Sequence, residues 1–195
     1  MRAYSPLRPR RSAGVSLMET IVVVGVMALI MLIISQIFVL NYEMFFRQSL
    51  RTDNETGAIL AARSISQLSR GAIAVEASHD FSGTVHTSSD STLVLKMPAV
   101  DGSDNIIAGV YDYAAFYRDP TDATKIFIVT DPGSGSVRQL SARRLTSYND
   151  TLIFRYNAAT ITAADRISVL LINQQTRRGA TVTNRAWTSI FLRNN

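Results

Sequence analysis

Gly14-Val-Ser-Leu-Met-Glu-Thr-Ile-Val-Val-Val-Gly-Val-Met-Ala-Leu-Ile-Met-Leu-Ile-Ile34 decides the architecture of this chain. It is nearly all apolar, yet it carries a carboxylate, Glu19, where the oily run begins. From Ile21 to Leu40 only Ser35 and Gln36 are clearly polar. At about 1.5 Å rise per residue, those positions as a helix span a hydrocarbon core of roughly 30 Å. The abundance of Ile and Val suits a buried strand as well, but strands stop at about ten residues. The length predicts a membrane helix.

Charge sets the expected orientation. Arg2, Arg8, Arg10 and Arg11 precede Gly14 with no acidic residue among them. They supply most of the net charge of +5, and without them the balance falls to +1. Basic residues flanking a first apolar span stay on the cytoplasmic side, which predicts export of everything beyond Leu40. No clustered basic face of the nucleic-acid-binding kind is evident in the remainder. The chain has no cysteine, so neither a disulfide nor a thiolate metal site holds the exported part together.

A secretory signal places its small-residue cleavage site after the apolar run. Here Ser12-Ala13-Gly14 comes before it, so a cut after Gly14 removes the basic leader and leaves the helix in the product. Glu19 admits two readings. Ser16 and Glu19 have the spacing of a capping box, and a carboxylate suits the positive end of a helix dipole. A carboxylate within a bilayer also costs roughly 2.5–3.5 kcal/mol on insertion scales, which marks it as functional by default.

The basic leader, the Gly14 junction, Glu19 and the span behind it together resemble the prepilin-type N-terminal motif of type IV pilins and type II secretion pseudopilins. The resemblance implies cleavage between Gly14 and Val15 by a prepilin peptidase, and N-methylation of Val15 by the same enzyme. It also implies an assembly role for Glu19, which would neutralise the N-terminal amine of an adjacent subunit. Other implied partners are further pilin or pseudopilin subunits, an inner-membrane assembly platform, and membrane lipid before assembly. Val15 stands where the family mostly has phenylalanine. Gln36 stands where major pilins often have a kinking proline, which points to a pseudopilin or minor subunit.

No proline interrupts Gly14 to Met97, and Gly57 is the only glycine between Gly25 and Gly71. Phe46, Leu50, Gly57, Leu60, Ala61, Ile65 and Leu68 recur at helical steps, with Arg47, Arg51, Asp53, Asn54, Glu55, Arg63 and Arg70 placed mostly elsewhere. One helix is predicted from about Val15 to about Ser69, ending near Gly71. Its outer half is amphipathic and needs a cover. Four segments follow: a leader at 1–14, a transmembrane and assembly half at 15–40, an amphipathic half at 41–70, and a β-rich domain at 71–195.

Within that domain, strands are expected at Thr92–Met97, Gly109–Tyr117, Lys125–Thr130, Thr151–Asn157, Arg166–Asn173 and Ala186–Leu192. Asp101-Gly-Ser-Asp-Asn105 and Asp131-Pro-Gly-Ser-Gly-Ser136 read as turns. Short connections favour hairpins, so the fold class is α+β, a long N-terminal helix packed on an antiparallel sheet. Thr151-Leu-Ile-Phe-Arg-Tyr156, Arg166-Ile-Ser-Val-Leu-Leu-Ile172 and Ala186-Trp-Thr-Ser-Ile-Phe-Leu-Arg-Asn194 look like the J-type minor pseudopilins and W-type minor pilins.

Catalytic chemistry is not evident. His79 and His86 lie in a Ser/Thr/Gly-rich segment and read as solvated loop residues. The 131–136 segment lacks the Gly-Lys-Ser/Thr of a phosphate loop. Asp101, Asp104 and Asn105 offer oxygens to calcium but not at EF-hand spacing. Asn54 and Asn149 begin Asn-x-Thr triplets of a kind common by chance. Arg143-Arg144 and Arg177-Arg178 read as solvated loop charges. No enzyme, cofactor or resident metal is expected. The alternative to an assembling subunit is a signal-anchored exported binding protein that never assembles, with a tethered hydrolase ranked last.

Overall fold

The computed structural model describes residues 14, 16–177 and 179–193. Helix α1 runs Leu17–Arg70, close to the predicted bounds. The chain divides into two compact units at Phe46/Arg47. In the first, every described residue from 14 to 45 is exposed.

In the second unit, α1 supplies its residues from Arg47 on. Strands follow in the order β1 (Ala74–Val75), β2 (Ser78–Phe81), β3 (Thr84–Thr87), β4 (Thr92–Val100), β5 (Ile106–Arg118), β6 (Ile126–Asp131), β7 (Ser141–Thr146), β8 (Asn149–Tyr156), β9 (Arg166–Arg177) and β10 (Ala180–Phe191). They form a five-stranded sheet β1-β4-β5-β6-β7, a three-stranded sheet β10-β9-β8 and the hairpin β2-β3. All pairings are antiparallel. The expected single sheet is therefore two sheets and a separate hairpin.

The main core lies between α1 and both sheets. Alternation along the strands aims Leu93, Leu95, Met97, Phe116, Ile126 and Ile128 of the larger sheet into it. Leu152, Phe154, Ile167, Val169 and Leu171 come from the smaller one. Ala58, Ala61 and Ile65 of α1 join the same core. The opposite face of the larger sheet is also buried, because Val94, Ala115 and Val129 lie under Phe81 of the hairpin.

The buried stripe of α1 is Leu50, Asn54, Ala58, Ala61, Ile65 and Ser69, which corrects the predicted one. Leu60 is 54 % exposed, whereas Asn54 is fully buried. The reason is hydrogen bonding. Asn54 Nδ2 donates to the carbonyls of Val182 at 2.9 Å and Asn173 at 3.3 Å. Asn173 Nδ2 donates in return to the Asn54 carbonyl at 3.3 Å and to Thr146 Oγ1 at 3.1 Å. The two buried side-chain NH2 groups are tolerated because such partners replace water, whereas the Asn54 and Asn173 side-chain oxygens have no protein partner among the described residues. These bonds tie the helix to β9 and β10, and β9 to the end of β7.

Further corrections concern loops that are strands. Arg143 and Arg144 lie on β7, an edge strand, and Arg177 ends β9. Arg178 is outside the described residues. Strands β1, β2 and β3 were not expected at all, and β10 starts six residues before the predicted Ala186.

Candidate functional site

Helix α1 opens on a Ser16 cap. Ser16 Oγ accepts the Glu19 N–H at 3.2 Å, and the Ser16 carbonyl accepts the Thr20 N–H at 3.2 Å and the Thr20 hydroxyl at 3.3 Å. Only half of a capping box is formed, since no bond from the Glu19 carboxylate back to the Ser16 N–H exists among the described residues. The helix start thus uses the backbone of Glu19 and leaves its exposed side chain out. Gly14 is exposed, and Val15, the expected processing and methylation position, lies outside the described residues.

Behind Glu19 the helix surface is apolar on all sides. Leu17 is 81 % exposed, and Val23, Leu29, Ile33 and Phe38 are exposed as well. A helix that is apolar all round is stable only when enclosed, by lipid or by other helices. Among the described residues, one helix is long and apolar enough to cross a membrane, and it is α1.

The two histidines are not solvated loop residues. Hairpin β2-β3 turns at Ser82 and Gly83, both at positive φ (54° and 96°), as a two-residue hairpin turn requires. Its register pairs His79 with His86 across the strands. His79 stacks on Tyr113 with centroids 3.7 Å apart, and its Nε2 lies 2.8 Å from Asp131 Oδ2. His86 lies against Tyr117 at 4.1 Å, and burial pushes its pKa below the ordinary value. Among the described residues no hydroxyl is hydrogen-bonded to the other nitrogen of His79, so the His–Asp pair lacks the nucleophile of a hydrolytic triad. The pair clamps the hairpin onto the sheet. The Ser82-Gly83 dipeptide between two alternating runs was the available sequence signal.

The 131–136 segment turns as expected, and it also wraps a buried carboxylate. Asp112 is 1 % exposed and accepts the Gly133 N–H at 2.7 Å and the Ser136 hydroxyl at 2.8 Å, with the Arg138 guanidinium paired to it. Arg138 also donates to the Pro98 carbonyl at 2.7 Å. Gly133 is obligatory, because a Cβ there would meet the Tyr111 carbonyl oxygen at 2.6 Å. This is a fully satisfied structural network.

Asp101 folds back on its own loop. Its Oδ1 accepts the N–H groups of Ser103 at 2.8 Å and Asn105 at 3.0 Å, which hold its pKa below the usual range. Among the described residues no three His, Asp or Glu side chains converge as metal ligands. In the β5–β6 turn, Asp122 accepts from Thr124 and pairs with Lys125 at 2.9 Å, and its pKa drops to about 2. Asn149, of the second Asn-x-Thr triplet, is buried, and its amide donates to the Ala123 carbonyl.

Comparison of the chain with protein-family models, with curated proteins and with solved structures finds no match. Site geometry and sequence alone therefore bear on function.

Proposed function

We propose that the chain is a minor pilin or pseudopilin subunit, trimmed after Gly14 and assembled through α1 into a filament. The observation that carries this is the start of α1. There an exposed carboxylate that local capping does not use heads a helix whose apolar surface is uncovered all round. In lipid, and still more in a bundle of helices, such a charge is tolerable only when paired. The N-terminal amine released by cleavage at Gly14–Val15 on an adjacent subunit is the complementary partner that the sequence resemblance supplies.

In this account the Arg2–Arg11 leader holds the N-terminus in the cytoplasm, and the β-rich unit lies outside the inner membrane. The helix passes from bilayer to bundle without changing the environment of its apolar side chains. Transfer costs little apolar free energy, and electrostatic pairing at Glu19 fixes the register. The role is architectural, contributed through contacts with other subunits and an assembly platform.

The test is the mass of the mature N-terminus in cells containing a prepilin peptidase. A chain beginning at Val15 and carrying one extra methyl group is expected. An intact Met1 start contradicts the proposal and favours a signal-anchored binding protein.

A further inference from the structure

The outward face of the β10-β9-β8 sheet has no role in the fold. Its inner face feeds the core, so the alternate positions point away from it. The register sets Trp187 opposite Leu170 and Leu170 opposite Ile153, an apolar row crossing all three strands. Ile172 lies beside that row, while Phe191 stands farther along β10, separated from Trp187 by Ser189 opposite Ser168. Trp187 is 70 % exposed and Phe191 68 %. Three strands about 4.8 Å apart and some seven residues long give this face roughly 350 Å². The apolar row occupies only part of that face, but it is contiguous across the strands, unlike apolar side chains scattered singly over a surface.

The charges around the row are mostly basic. Arg155, Arg166 and Arg185 share the face with a single strand carboxylate, Asp150, which is exposed at the β8 bulge and accepts the Thr151 hydroxyl at 2.9 Å. Arg166 lies over the Phe191 ring at 5.9 Å. Among the described residues neither the Arg155 nor the Arg185 side chain has an ion pair or a hydrogen bond. On its edge side, Trp187 also borders a groove of about 410 Å³ lined by Ile59, Ala62 and Arg63 of α1.

We propose that this face docks a different protein, one presenting carboxylates around an apolar pocket that receives Trp187. Trp and Arg dominate the energetics of protein interfaces, and charged rims set the rate and salt dependence of encounter. A second copy of the same face is a poor occupant, since a two-fold contact sets arginines against arginines. Ile153, Leu170 and Ile172 are half-buried and flush with the sheet, so they suit a shaped protein surface better than insertion among lipids. They also offer no ring faces on which bases stack. This inference does not depend on the assembly role, because it concerns a face of the β-rich unit alone.

The experiment uses the full chain in its own cells, with a photo-crosslinking phenylalanine derivative at Thr183 or Ser189, outward positions on the same strand as Trp187. One adduct is expected, to a distinct protein, at a segment containing Asp or Glu. The purified full chain in detergent should bind that protein with affinity falling about 30-fold on Trp187→Ala, the effect of losing a hot-spot residue. Arg155→Glu with Arg185→Glu should weaken binding and flatten its salt dependence, and both variants should keep the wild-type melting temperature. An adduct to a second copy, to lipid or to nucleic acid overturns the proposal, as does no adduct or an affinity unmoved by these substitutions. Binding of phosphatidylglycerol vesicles that needs Trp187 overturns it too. Failure here leaves the mature N-terminus unaffected, so the two proposals fail separately.

Discussion

Single residues in this protein divide by whether their polar groups are used. Asp112 is spent on Gly133, Ser136 and Arg138, and Asp101 on its own loop. The side chains of Glu19, Arg155 and Arg185 have no such partners among the described residues. His86 gives a pH dependence of definite sign. Its folded pKa lies below the unfolded value of 6.5 because burial disfavours the imidazolium. Below about pH 6.5 the unfolded chain therefore takes up a proton that the folded chain resists, and stability falls as pH falls. Urea unfolding of the full chain in detergent should show a loss of stability between pH 7.5 and pH 5 that is smaller in His86→Phe. An equal loss in the variant means that His86 is not the responsible group.

At the scale of elements, α1 was legible because nothing breaks it, and its end was marked by Gly71. The stripe was less legible. Leu60 belongs by hydropathy and is exposed, while Asn54 does not belong and is buried. Tertiary hydrogen bonds with Asn173 and with the Val182 carbonyl decided that, and no periodicity contains them. Hairpin β2-β3 was missed because its inward positions are histidine and phenylalanine among serines and threonines, a composition that reads as loop. Strand β7 was missed because it lies at a sheet edge and its arginines face water. Among α1 residues, Ile65 is fully enclosed between both sheets. Ile65→Ala should lower unfolding free energy by about 2–5 kcal/mol by creating a cavity, measured by urea titration. Leu60→Ala should change it by less than about 0.5 kcal/mol, as for surface positions.

For the whole molecule, the α+β class and the membrane-length helix were readable from composition and spacing. The partition of strands into two sheets was not, because it depends on long-range pairing that hairpin signals do not encode. The Gly14–Glu19 pattern is visible in the sequence because its elements are local, and the role drawn from it is a proposal. In the proposed account the partner of Glu19 lies in another chain, and that assembly role is the central claim. The most direct measurement is the fraction of protein recovered in sheared filaments from cells expressing Glu19→Gln, which keeps shape and removes charge. The account predicts trimming after Gly14 at the wild-type level together with loss of the variant from the filament fraction. Trimmed Glu19→Gln protein recovered in filaments as efficiently as wild type would contradict it.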